Sequence, residues 1–263
     1  MNFYHFWKWG DGVKQRREQI KKYIISKGFV SLTELSSLFP DVSTMTLRRD
    51  LEYLENDGEI VRTKGGAKSI MHLSMQKEES YNRREYINSE LKRELAEKAA
   101  ALIEDNSCVF FDAGSTVMEV VKALGQKPMY TITSGPNIAV ELTKNKNCTI
   151  NVVCGHLHRE NISLSGLNAV EFLKEINIGT AVIAASGFTE RAGFTCGNYD
   201  ECQLKKAVIA MAARVIIVMD STKLGRSHPF TFAMPGDADY LVSDNSFDPA
   251  VKAKLENEGL KIL

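Results

Sequence analysis

Cysteine is scarce and has no pattern: Cys108, Cys148, Cys154, Cys196 and Cys202 are an odd five among 263 residues, and none forms a C-x-x-C pair. A disulfide framework and a zinc knuckle are therefore not what these cysteines build, and they read as reduced thiols of a cytoplasmic protein. No apolar run approaches the roughly 18 residues a membrane helix requires. The opening stretch holds Phe3, Tyr4, Phe6, Trp7 and Trp9 but lacks the basic start and small-residue cleavage site of a signal peptide, so residues 1–12 read as a loose tail. Net charge is absent as well, with 33 basic against 33 acidic residues.

That balance hides an asymmetry. Residues 1–70 carry 12 basic and 9 acidic side chains, and the remaining 193 carry 21 and 24. A mildly basic head on a mildly acidic body suits a protein whose N-terminus meets phosphates. Hydrophobic residues at 44% and charged residues at 25% describe a globular chain long enough for two unequal domains.

The head, residues 13–68, reads as three helices and a wing. Ile20 and Ile24 mark a first helix that Gly28 ends. Ser31 and Glu34 form a capping box for a short second helix with Leu32, Leu35 and Leu38 on its apolar side. Pro40 and Asp41 stop it, and Ser43 caps a third helix over residues 44–57, before Gly58. Leu47, Leu51 and Leu54 share one side of that helix, so Met45, Arg48 and Arg49 project from the other. Paired arginines near a helix start can bind guanine edges or phosphates, and Thr44 or Thr46 can add hydroxyl contacts. A strand over residues 59–62 and a basic, glycine-bearing turn over 63–68 complete a wing. There Arg62, Lys64 and Lys68 would lie along phosphates, while Gly65 and Gly66 permit close backbone approach. The chemistry expected is DNA binding.

The order Val42-Ser43-Thr44-Met45-Thr46-Leu47-Arg48-Arg49-Asp50-Leu51, then Leu54-Glu55 and Gly65-Gly66-Ala67, resembles the N-terminal signature of the DeoR family of bacterial transcriptional repressors. The resemblance implies that Arg48 and Arg49 sit in the recognition helix of a winged helix-turn-helix.

Residues 69–88 read as a polar linker turning helical near Ser80. Residues 89–263 read as a second domain that opens on an amphipathic helix over 89–103, with Leu91, Leu95 and Leu102 facing one way. Short apolar runs at 108–111, 130–133, 149–154, 181–185, 215–219 and 240–242 then alternate with helical stretches at 117–124, 138–143, 201–213 and 249–258. This alternation predicts a Rossmann-like, mainly parallel α/β domain covered on both faces. Ligands bind such sheets beyond the strand carboxyl ends, and polar or glycine-bearing segments follow five of the strands. Among them are Asp112, Gly114, Ser115 and Thr116; Thr133 and Ser134; Gly155; Ser186; and Asp220 and Lys223. Gly114, Ser115 and Thr116 at a helix start suit a phosphate. Asp112 suits sugar hydroxyls, and Lys205 or Lys223 could neutralise the ligand.

The second domain also resembles the DeoR sensor domain in residues 111–116, 131–137, 165–166 and 220–225. That sensor is similar to ribose-5-phosphate isomerase, so the resemblance implies a phosphorylated sugar or sugar-derived effector. The third loop departs from the family, with Cys154-Gly155 where Gly-Gly is usual. The expectation is a homo-oligomeric repressor of carbohydrate-metabolism genes that binds a double-stranded operator and needs no cofactor.

Two rivals belong to other classes. A sugar-phosphate isomerase with a DNA-binding head would need a carboxylate base; the Asp-Gly-Ala-Asp-Glu run of related isomerases is missing, which leaves Glu190, Asp200 and Glu201. A metal sensor would use Cys154, His156 and His158 with Cys196 or Cys202.

Overall fold

The computed structural model describes residues 12–27, 29–57, 60–63, 65–69 and 80–263. The expected tail over 1–11, the stop at Gly28, the cap at Gly58, the wing residue Lys64 and the linker over 70–79 lie outside the described residues. The chain divides into two compact units, Met1–Gln76 and Lys77–Leu263.

In the first unit, α1 (Gly12–Lys27), α2 (Leu32–Leu38) and α3 (Thr44–Asn56) accompany β1 (Phe29–Ser31), β2 (Ile60–Thr63) and β3 (Gly66–Ser69). The strands form one antiparallel sheet in the order β1-β3-β2. Ser31 Oγ accepts from Glu34 N–H at 3.1 Å and Ser43 Oγ from Thr46 N–H at 3.2 Å, so both serines cap their helices. The expected capping box is half formed, because the Glu34 carboxylate accepts from Tyr23 Oη at 2.9 Å and Lys27 Nζ at 2.6 Å instead of from the Ser31 N–H. Ile20, Ile24, Val30, Leu35, Leu47, Leu51, Leu54, Ile60 and Ala67 form the core between helices and sheet.

The expected basic turn over 63–68 is corrected: all but its tip is strand. Gly66 pairs with both Ser31 and Thr63, and a Cβ there would lie 2.1 Å from the Val30 carbonyl oxygen. Glycine is needed at 66 so that β1 can approach, a contact within the head itself.

In the second unit, α4 (Tyr81–Tyr86) and α5 (Ser89–Ala101) precede β4 (Ser107–Phe111), α6 (Ser115–Ala123), β5 (Met129–Thr133), α7 (Pro136–Leu142) and β6 (Cys148–Val152). Then come β7 (His156–His158), β8 (Ser163–Ser165), α8 (Leu167–Leu173), β9 (Thr180–Ala184), β10 (Gly187–Thr189), β11 (Gly193–Cys196) and α9 (Tyr199–Met211). The unit closes with β12 (Arg214–Val218), β13 (Phe230–Ala233), β14 (Tyr240–Val242), α10 (Pro249–Asn257) and β15 (Lys261–Ile262).

Seven strands form one sheet, ordered β15-β14-β12-β9-β4-β5-β6 and parallel throughout. Its central strands are apolar on both faces. Val109, Phe111, Val182, Ile216 and Val218 pack with α5, α6 and α7, whereas Phe110, Ala181, Ile183 and Ile217 pack with α8, α9 and α10. On the latter side Phe188, Phe194 and Phe232 stack in a small antiparallel sheet of β10, β11 and β13. Residues 81–88, read as connector, pack on this unit: Tyr81 N–H donates to the Glu160 carbonyl at 2.7 Å and is itself buried.

Candidate functional site

On the head, the leucines of α3 occupy the core and leave Arg48, Arg49 and Met45 exposed, as their spacing requires. Neither arginine makes a hydrogen bond or ion pair with another described residue. Asp50, between these faces, is buried and takes Arg16 Nε at 2.6 Å and Arg17 Nε at 2.9 Å, while Arg17 also lies over the Tyr53 ring. Sequence reasoning missed this clamp, because the arginines precede Asp50 by more than 30 positions. Ser43 and Thr46 hydroxyls bond each other at 2.9 Å, and Thr44 is exposed. Arg62 is exposed on β2 but tied to Glu55 at 2.6 Å; Lys68 is half-buried on β3.

In the second unit, parallel strand order brings the predicted loops to one edge. Asp112 N–H donates to the Val182 carbonyl, Ser134 N–H to Phe111, Val153 N–H to Thr133 and Ala185 N–H to Val218. Within this edge several predicted residues hold one loop to another. Ser134 Oγ accepts from Ala113 N–H at 2.9 Å, Thr133 Oγ1 from Gly135 N–H at 3.0 Å, and Ser186 N–H donates to the Thr195 carbonyl. Asp220 caps the turn after β12 through Thr222 N–H at 3.2 Å and also accepts from Asn88 at 3.2 Å. Gly155 has a φ of +140°, and a Cβ there would meet the Ser165 carbonyl oxygen at 2.4 Å. Glycine there lets the chain entering β7 lie close against the end of β8, with which β7 forms a hairpin where a plain loop was expected.

Asp112 and Lys205 take each other's charge. The buried Lys205 ammonium bonds Asp112 Oδ2, which also accepts from Ala184 N–H at 3.1 Å, and Lys205 donates to the Ala184 carbonyl at 2.9 Å. Burial opposes the ammonium, yet Asp112 carries its pKa above the ordinary value. Lys205 is therefore committed within the protein, and Asp112 keeps only part of its accepting capacity.

A lysine that the sequence reading passed over stands at the same edge. Lys92 is 3% exposed, and its ammonium donates to Ser115 Oγ at 3.0 Å and to the Arg84 carbonyl. Both acceptors are neutral, and Lys92 forms no ion pair with another described residue. Burial brings its pKa down to about 8, with Asp220 opposing and Lys223 and Arg84 reinforcing that shift. Ser115 and Thr116, both buried, begin α6 after Gly114. An ammonium with neutral hydrogen-bond partners thus meets the positive end of a nine-residue helix, with the Asp220 and Glu119 carboxylates acting on it from beyond bonding distance.

The signal was present in the helix period. The buried side of α5 is Lys92, Leu95, Ala96, Ala99 and Ala100, so the predicted stripe through Leu91 is rotated by one residue and a lysine occupies a core-facing position.

Two residue-level matches decide the family: a DeoR-like helix-turn-helix domain over residues 16–72 and a DeoR C terminal sensor domain over 87–245. The chain belongs to the DeoR family of transcriptional regulators. It is 30% identical to the HTH-type transcriptional regulator GlpR of Haloferax volcanii over 95% of this chain and 96% of that one. It is 32% identical to the HTH-type transcriptional repressor GlcR of Bacillus subtilis, over 88% of each. The regulator GolR of Listeria innocua is 29% identical over 94% of this chain and 97% of its own. Ribose 5 phosphate isomerase A from Neisseria gonorrhoeae aligns at a TM-score of 0.39 and 18% identity over 51% of this chain and 53% of that one, too loosely to carry an assignment.

Membership of a regulator family leaves the isomerase reading without support. Glu190 is exposed against Lys254, Asp200 is exposed, and buried Glu201 accepts from Asn161 at 2.9 Å and from Ser163. Among the described residues no three His, Cys, Asp or Glu side chains converge as metal ligands, and Cys154 is exposed with its sulfur toward the Asn168 carbonyl. No helix among the described residues is long and apolar enough to cross a membrane.

Proposed function

We propose that this regulator is a cytoplasmic repressor of carbohydrate-metabolism genes, whose operator binding is controlled by a phosphorylated sugar. Arg48 and Arg49 read or clamp the operator, with Ser43, Thr44, Met45 and Thr46 beside them and Arg62, Lys64 and Lys68 along the wing. The effector's phosphate meets Lys92 and the amides and hydroxyls of Gly114, Ser115 and Thr116. Lys223 adds positive charge, and Thr133, Ser134, Gly155, Ser186 and Asp220 shape the loops around it.

The observation that carries this reading is Lys92. A buried ammonium with neutral partners is costly, and an anion at the start of α6 would supply its missing counter-charge. Family membership supports DNA as the other partner, and GlcR bears the name of a repressor. One head contacts only a few base pairs, so a homo-oligomer on two half-sites supplies the specificity.

The test is operator occupancy, read by fluorescence anisotropy, while sugar phosphates and their unphosphorylated parents are titrated in. At least one phosphate should change occupancy where its parent does not. Equal effects of phosphate and parent would remove the anion assignment.

A further inference from the structure

The cysteines are scattered in the sequence, but two of them meet in the fold. Cys196 ends β11 and Cys202 lies in the first turn of α9, and both are buried in the same apolar cluster, at 1% and 2% exposure. One acceptor ties them together: the Asn198 carbonyl takes the Cys202 N–H at 3.0 Å and the Cys196 thiol at 3.5 Å. A second tie comes from β13, where Cys196 pairs with Phe230 and the Cys202 sulfur lies 3.2 Å from the carbonyl oxygen of the next residue, Thr231. The two side chains are hydrogen-bonded to each other.

Their surroundings favour a thiolate at one of the pair. The hydrogen bond from Cys196, with Lys206 and Lys205 nearby, brings the Cys202 thiol from 9.0 down to about 7 although burial opposes it. Burial moves Cys108 and Cys148 the other way, and Cys154 is exposed with its sulfur toward a backbone carbonyl. A low-pKa thiol beside a second thiol is the arrangement in which oxidation ends at a disulfide. The chain between the two cysteines includes the exposed Tyr199 and Asp200, so local opening of that turn admits a water-sized oxidant.

We propose that Cys196 and Cys202 form a modification site, a dithiol that a small hydroperoxide oxidises reversibly to a disulfide joining the end of β11 to the first turn of α9. The Cys202 thiolate attacks a peroxide oxygen and the O–O bond breaks. The departing oxygen takes a proton and leaves as water or an alcohol, with a sulfenic acid left on Cys202. The Cys196 sulfur then attacks that of Cys202; the S–S bond forms, the S–O bond breaks, and hydroxide leaves with the Cys196 proton as water. Two thiols lose two electrons and two protons, and one hydroperoxide gains them. The crosslink needs no effector, yet it pins the start of the helix whose Lys205 holds Asp112.

Titration of the folded full chain with hydrogen peroxide, followed by alkylation of the remaining thiols and peptide mass mapping, tests it. A Cys196–Cys202 disulfide should form while circular dichroism stays that of the folded chain, and dithiothreitol should return both thiols. Cys196→Ala should lose the crosslink and leave a sulfenic acid on Cys202 that dimedone captures, and Cys202→Ala should leave Cys196 a thiol. Mapping of the unaltered chain suffices where a variant folds poorly. Cys196 and Cys202 remaining thiols while the exposed Cys154 is oxidised overturns the proposal, as does a crosslink that forms only in urea or that pairs either residue with another cysteine.

Discussion

If Lys92 holds the proposed phosphate, effector binding is sensitive to pH. Its pKa in the protein is about 8, against an ordinary 10.5. A bound phosphate raises that value, so above pH 8 the complex holds a proton that the free protein has lost, and affinity must fall as pH rises. Below pH 8 the ammonium is charged in both states, and the second phosphate ionisation, near 6, is already complete. Titrations should therefore show roughly constant affinity between pH 7 and 8 and a loss approaching about tenfold per unit above it. Lys92→Met should bind weakly with no such fall; a fall that persists in that variant would place the titrating group elsewhere. On the head, Arg48→Ala or Arg49→Ala should each weaken operator binding by about 1–3 kcal/mol if the residue reads a base, without changing the unfolding midpoint. The independence is expected because neither guanidinium bonds another described residue. Unchanged operator affinity in the double variant would sink the recognition-helix assignment.

Among the elements, the wing depends on a backbone contact. Any side chain at Gly66 would lie 2.1 Å from the Val30 oxygen and 2.7 Å from the Ser31 Cα, and backbone atoms cannot rotate aside as a side-chain tip can. Gly66→Ala should destabilise the head by about 1–3 kcal/mol or more, whereas Gly65→Ala, with nothing within 4 Å of its Cβ, should be nearly silent. Urea unfolding of the two variants followed by circular dichroism checks the difference, and equal midpoints would remove the β1 contact as the reason for glycine. The same scale explains why most elements were legible. Six predicted strands match β4, β5, β6, β9, β12 and β14 within about two residues at either end; central strands such as β9 and β12, buried on both faces, are continuous apolar runs in the sequence. The strands of the hairpin and the small sheet are only three or four residues long, too short for a period to show.

At the scale of the whole molecule, sensing and DNA binding belong to separate units, which predicts variants that lose one and keep the other. A Cβ at Gly114 lies 3.2 Å from the Ala184 Cβ, so Gly114→Val would force the start of α6 away from β9. That variant should occupy the operator like the unaltered chain yet fail to release it at effector concentrations that empty the operator otherwise. Operator occupancy with and without the sugar phosphate reads this out directly. A normal response would refute the pocket, and permanent release would mark the ligand as a co-repressor.

The sequence by itself determined whatever depends on residues three or four positions apart. The Ser31 and Ser43 caps, the leucine spacing of α3 that leaves Arg48 and Arg49 outside, and the alternation of apolar runs with helices are local, and they suffice for the fold class and the edge where loops gather. Only the tertiary structure decided which charges meet there. Asp112 finds Lys205, 93 positions away, because β9 lies between β4 and β12 and brings Ala184 beside both. Asp50 finds Arg16 and Arg17 because α3 packs against α1 in the head core. Lys92 points inward, without an ion-pair partner among the described residues, because packing buries a side of α5 one residue round from the Leu91 stripe, and at 3.6 residues per turn Leu95 belongs to both.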